Sequence, residues 1–97
     1  MDDESLNQVM EMHAIVHGRV QGVFFRATTR KYAEKLGLRG TVKNKTDGTV
    51  EIFAQGTKKE LNTLVELLQS DSGPGYVDSI ATEFRKPIRA FNDFSIV

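Results

Sequence analysis

Two apolar stripes at helical spacing, each set between short runs of strand formers, constrain this 97-residue chain more than any other feature. Phe25, Thr29, Tyr32, Ala33 and Leu36 recur at i, i+4, i+7, i+8 and i+11, one face of a 3.6-residue period. The spacing predicts a helix from near Phe24, stopped by Gly37, with Leu38 placed for a Schellman end and Lys35 in the last turn. Leu61, Leu64, Val65 and Leu68 form the second stripe. Thr57-Lys58-Lys59-Glu60 opens it as a capping box, with Thr57 as N-cap and Glu60 three residues on, and this helix is predicted to run to about Ser70.

The segments around the stripes read as strands. Residues 12–17 are a mostly apolar run that Gly18 ends. Residues 39–45 and 49–55 flank Thr46-Asp47-Gly48, and Asp-Gly supplies the positive φ of a tight hairpin. Val50, Ile52 and Ala54 alternate onto one face, the one that helices would cover. Gly73-Pro74-Gly75 breaks the chain after the second helix, residues 76–85 read as a fourth strand with Pro87 at its end, and residues 91–97 as a short last one. A βαββαβ order with an extra C-terminal strand predicts an α+β fold. It is a ferredoxin-like sandwich, one antiparallel-rich sheet with two helices on one face. The first and third strands are expected at its centre, parallel to each other, with the hairpin strand and the fourth strand outside them.

A chain of this length holds one core and buries roughly 60–65% of its unfolded surface. Residues 12–97 read as that single domain, and residues 1–11, polar and acidic, as a flexible N-terminal extension. There is no cysteine, which excludes disulfides, thiolate zinc sites and a cysteine nucleophile. No apolar run approaches the ~20 residues of a membrane helix, and Met1-Asp2-Asp3-Glu4 is acidic where a signal peptide is basic. A soluble, cytoplasmic monomer is expected. The net charge of zero hides an asymmetry: residues 1–12 carry −4, residues 13–45 carry +7 and residues 46–97 carry −3. A basic half on a neutral protein points to an anionic ligand.

Gly18-Arg19-Val20-Gln21-Gly22-Val23-Phe24-Phe25-Arg26 is the most informative stretch. It is a glycine-bounded loop between a predicted strand and the start of a predicted helix. Backbone N–H groups at such a junction face a concavity at the positive end of the helix dipole, a ready seat for phosphate. Gly18 and Gly22 lack Cβ and let the backbone approach closely. Arg26 falls in the first helical turn, from which its guanidinium can fold back over the loop, and a bidentate Arg–phosphate pair is a strong charge-assisted contact. No Gly-Lys-Ser/Thr follows, and the glycine spacing is not that of a dinucleotide fingerprint. Taken singly, Arg26 also fits a surface helix residue, and Asn44 fits local hydrogen bonding before a hairpin turn.

The two stretches together decide between these readings. Gly18 to Arg26 resembles the first signature of the acylphosphatase family. Gly40-Thr41-Val42-Lys43-Asn44-Lys45-Thr46-Asp47-Gly48-Thr49-Val50 resembles the second, at a similar separation. The resemblance covers about residues 12–97. It implies hydrolysis of the carboxyl-phosphate bond of acyl phosphates, with inorganic phosphate as product and competing ligand, and with no metal, cofactor or covalent enzyme intermediate. Carried over residue by residue, Arg26 and the N–H groups of Arg19, Val20, Gln21, Gly22 and Val23 hold the phosphoryl group, Gly18 shapes the loop, and Asn44 orients the attacking water. The side chains of Arg19 and Gln21 are expected to stay in solvent. The family has an aromatic residue where this chain has Thr41, a difference that bears on packing more than on chemistry.

An acyl phosphate already has a good carboxylate leaving group, so its hydrolysis needs positioning and charge stabilisation rather than a strong general acid. His13 and His17, two apart on the first strand, lack an evident third metal ligand and read as strand residues, partly packed or exposed. One competing function is an RNA-binding sheet, for which Phe53 is the one clear aromatic on a central strand and no RNP-type run is present. Another is a catalytically silent domain that senses acyl or carbamoyl phosphate, which turnover would separate from an enzyme. Neither nucleic acid nor a membrane is an expected partner.

Overall fold

The computed structural model describes residues 8–97. In order the elements are β1 (Val9–Arg19), α1 (Phe25–Lys35), β2 (Arg39–Asn44), β3 (Val50–Thr57), α2 (Lys58–Ser70), β4 (Tyr76–Arg85) and β5 (Phe94–Ile96). The strands form one sheet in the order β4-β1-β3-β2-β5. Met12, Ala14 and Val16 of β1, Val42 of β2, and Val50, Ile52 and Ala54 of β3 all point to one face. There they are buried against Phe25 and Ala33 of α1 and Leu61, Leu64 and Leu68 of α2. Each set follows its own period, two in the strands and 3.6 in the helices, so both apolar stripes find the same core. The result is the ferredoxin-like α+β sandwich that the element order predicts.

One expectation about direction is overturned. β1 and β3 are central neighbours but antiparallel, with Val9 opposite Thr57 and Val16 opposite Val50. The α1 crossover brings β2 back in the direction of β1, and the tight hairpin then reverses the chain, so β3 must oppose β1. Among the described residues only β5 pairs in parallel, beside β2 at the sheet edge.

β1 is also longer than the apolar run predicts. Val9, Met10 and Glu11 pair with Thr57, Gly56 and Gln55, so these three residues of the expected extension belong to the sheet. The extension's residues 1–7 lie outside the described residues. Nor does Gly18 end the strand. The register shifts between His17 and Gly18, a β-bulge, and β1 continues to Arg19. A Cβ on Gly18 would stand 2.1 Å from the carbonyl oxygen of Tyr76, so the backbone of β4 itself occupies the space a side chain would need.

The helix ends match their local signals. Gly37 N–H donates to Glu34 O at 3.1 Å and Leu38 N–H to Ala33 O at 2.9 Å, the paired bonds of a Schellman end. Glu60 N–H donates to Thr57 Oγ1 at 3.2 Å while Thr57 N–H donates to Glu60 Oε1 at 3.0 Å, which completes the capping box. On the uncovered face of the sheet, His13 stacks on Phe53 at 4.5 Å and lies 2.8 Å from Glu51 Oε2, and the Arg89 guanidinium stands 4.2 Å from the centre of the Phe53 ring. His17 is exposed. Among the described residues no three side chains of metal-ligating type cluster.

Candidate active site

The topology gathers one end of the sheet. β1 runs toward it, α1 starts there and runs away, and β2 returns to it. The loop after β1, the first turn of α1 and the last residue of β2, Asn44, therefore share that end. A side chain ties them together. Gln21 Nε2 donates to Lys45 O at 2.7 Å and to Thr49 O at 2.8 Å, so one amide spans both limbs of the β2–β3 turn. The turn has its own lock: Lys45 N–H donates to Thr49 O at 2.9 Å, and Asp47 Oδ1 accepts from Thr49 N–H at 3.0 Å and Thr49 Oγ1 at 2.6 Å. The Thr49 hydroxyl and then its N–H hold the Asp47 carboxyl below the usual aspartate range, with a smaller contribution from Lys45.

The loop backbone is unusual. Gly22 has φ 73°, and Phe24, the N-cap of α1, has φ 61°, a left-handed conformation that costs a bulky residue about 1–2 kcal/mol. The Phe24 ring is 79% exposed, so burial of its side chain does not offset this cost. Strain of this kind clusters at functional sites. Among the described residues no side chain caps α1, and no acidic residue sits in its first turn. Among the described residues, no N–H from Val20 to Phe24 donates to a protein acceptor. A helix start with unpaired donors and no carboxylate beside it presents a positive end to whatever anion approaches.

Arg26 lies half-buried in that first turn. With Val20, Gly22, Phe25 and Ile96 it lines a cavity of about 360 Å³. Asn44 stands on β2 two residues after the buried Val42, on the same helix-covered face. Its Oδ1 is buried and has no donor among the described residues. An unpaired buried acceptor costs about 1–3 kcal/mol, and a water held in the site would satisfy it.

The other expected residues divide. Gly22 and Val23 lie in the loop, and Val20 anchors it in the core at 1% exposure. Gly18 and Arg19 belong to β1, opposite Val77 and Tyr76 of β4, so the loop proper begins at Val20. The Gln21 side chain is not in free solvent, as the sequence led us to expect, but joins the loop to the hairpin. Thr49, buried and bonded to Asp47, is a turn-holding residue that the sequence reading missed. Its signal was present in the Asp-x-Thr spacing, in which an Asx turn reaches two residues on. Thr41 pairs with Phe53 and Ser95 and faces away from the helices, so the missing family aromatic belongs to the side of the sheet opposite Asn44.

The acylphosphatase family model matches residues 12–96. An acylphosphatase from Mycolicibacterium vanbaalenii is 42% identical over 86 residues, which cover 89% of this chain and 92% of the relative. The crystal structure of the Bacillus subtilis acylphosphatase superimposes with a TM-score of 0.86 at 39% identity, covering 91% of this chain and 98% of that one. An acylphosphatase structure from Coxiella burnetii gives 0.85 at 35% identity with both chains covered throughout.

Proposed function

This chain belongs to the acylphosphatase family, whose reaction is the hydrolysis of acyl phosphates, and from that premise we propose how its own residues carry the reaction. The phosphoryl group of the substrate sits at the start of α1. The free N–H groups of the loop, from Val20 to Val23, and the Arg26 guanidinium take its oxygens, and the helix dipole adds to the attraction. Asn44 Oδ1 accepts a hydrogen bond from a water and holds it in line with the bond to be broken. The water oxygen attacks phosphorus, the phosphorus–oxygen bond to the acyl group breaks, and the carboxylate leaves with that electron pair. An amide is too weak a base to remove the water's proton, so the proton passes to a phosphoryl oxygen of the substrate. The charge that develops on the phosphoryl oxygens meets donors already in place, which is where most of the rate enhancement arises in such a site. No metal takes part in this mechanism, and inorganic phosphate, the product, competes for the same seat. The protein acts as a monomer in the cytoplasm.

One observation carries the reading: the buried Oδ1 of Asn44, which has no donor among the described residues, lies at the same end of the sheet as Arg26 and the loop amides that have no acceptor among them. The test is hydrolysis of benzoyl phosphate in excess EDTA by the wild type and Asn44→Ala. Wild type is expected to turn over undiminished by the chelator. Asn44→Ala should lose about 10²-fold or more in kcat while its affinity for inorganic phosphate changes little. Near-normal turnover in Asn44→Ala would remove the water-positioning role, and loss of wild-type activity in EDTA would remove the metal-free mechanism.

A further inference from the structure

The cavity beside Arg26 continues along α1. Ala27 and Ile96 line it and also line a second groove of about 650 Å³, whose other walls are Arg30, Lys31, Glu34 and Lys35. Arg30 stands one turn beyond Arg26, about 6 Å along the helix axis. A substrate whose phosphate lies at the start of α1 would, with its acyl group directed along the helix, bring that group over this turn.

The groove carries three cations against one anion. Glu34 is engaged by Arg30 at 3.6 Å, and among the described residues neither Lys31 nor Lys35 has a carboxylate within salt-bridge reach. Apolar lining is confined to Ala27 and Ile96, next to the phosphate cavity. An uncharged acyl group would find little here to bind its far end, whereas a second anion would find two uncompensated ammonium groups and a guanidinium.

We propose that this groove seats the acyl group and selects acyl phosphates whose acyl moiety bears a second negative charge, a carboxylate or a phosphate, about one helical turn from the scissile bond. The proposal rests on the acyl phosphate hydrolysis argued above and specifies its substrate class.

Benzoyl phosphate and 4-carboxybenzoyl phosphate test it, because the para carboxylate adds the charge while altering the leaving group little. The readout is the ratio of their kcat/KM values. In wild type at low salt the carboxylated substrate is expected to be favoured roughly fivefold, the scale of one or two exposed ion pairs, and the preference should fade in high salt. The ratio should fall toward one in the Arg30→Ala/Lys31→Ala double variant and drop below one in Lys31→Glu. Lys43→Ala, on the uncovered face of the sheet, should leave it where it is. Benzoyl phosphate turnover with a wild-type ratio of one, or a ratio that Lys43→Ala lowers as much as the double variant does, would overturn the acyl seat and leave the hydrolase intact. No turnover of either substrate by folded wild type would overturn both.

Discussion

Gln21 shows how a side chain can matter to a site without touching substrate. Its amide nitrogen satisfies two turn carbonyls at 2.7 and 2.8 Å and so fixes the distance between the loop after β1 and the strand end that carries Asn44. Each such neutral bond contributes about 0.5–1.5 kcal/mol, enough to let the loop drift when both are lost. Gln21→Ala is therefore expected to lower kcat/KM for benzoyl phosphate by about tenfold, with KM rising because the loop amides no longer converge, while circular dichroism stays that of the folded protein and stability falls by about 1–3 kcal/mol, read as a lower urea midpoint. Unaltered kinetics would mean that the loop holds its shape unaided. Arg26 and Asn44 could be proposed from the sequence because both sit in motifs whose register can be checked against each other, and the fold places both at one end of the sheet. The role of Gln21 was not legible, because its partners are backbone carbonyls, which leave no mark on the sequence, in residues 24 and 28 positions away. The left-handed Phe24 was hidden for a similar reason: nothing in a phenylalanine announces positive φ.

The elements whose ends are set by neighbouring residues were the ones the sequence specified best. The Schellman end at Gly37 and the capping box at Thr57 each involve contacts no more than five residues apart, and both were readable. The direction of β3 was not, since it depends on counting chain reversals through a crossover and a hairpin. The start of β1 was masked by Glu11, a charge where a strand is expected to be apolar, whose partners Gln55 and Arg85 lie 44 and 74 residues away. α1 and α2 also differ in purpose. α2 is capped by its own residues, whereas α1 leaves its first donors unpaired. Thr57→Ala should thus cost about 1 kcal/mol of stability, seen as a lower urea midpoint, with kcat for benzoyl phosphate unchanged because that helix start is remote from the loop. A parallel fall in kcat would show that α2 helps to hold the site.

At the scale of the whole molecule, the basic segment of the sequence supplies the cations of one helix, and a separate ion-pair cluster lies on the other face of the sheet. On the helix side, α1 brings Arg26, Arg30, Lys31 and Lys35 to the cavity and its extension. On the uncovered side, the shortest ion pair joins Arg85 to Glu11 at 2.7 Å. That carboxylate is fully covered, with Gln55, Arg85 and Arg89 as its polar neighbours. Burial pushes its pKa up. The hydrogen bond from Gln55, the bonds from Arg85 at 2.7 and 3.0 Å, and the charges of Arg85 and Arg89 outweigh burial and hold it below the ordinary glutamate value. A folded-state pKa below the unfolded one means that the folded protein keeps its anion where the unfolded chain would take up a proton. The stabilisation is therefore complete above the unfolded value, about pH 4.3, and is lost as pH falls through the folded one. Glu11→Gln keeps the shape and removes the charge. It should be less stable than wild type by about 1.5–3 kcal/mol at neutral pH, the range for hydrogen bonds to a charged group, and the gap should begin to narrow below about pH 4.3 and close as pH falls through the lowered folded-state value. Urea unfolding of both across that range checks the sign, because Asp47 and every other carboxylate are common to the pair and cancel in the difference. A gap that stays constant with pH would mean that Glu11 stabilises the sheet by packing and hydrogen bonding alone, with its charge immaterial.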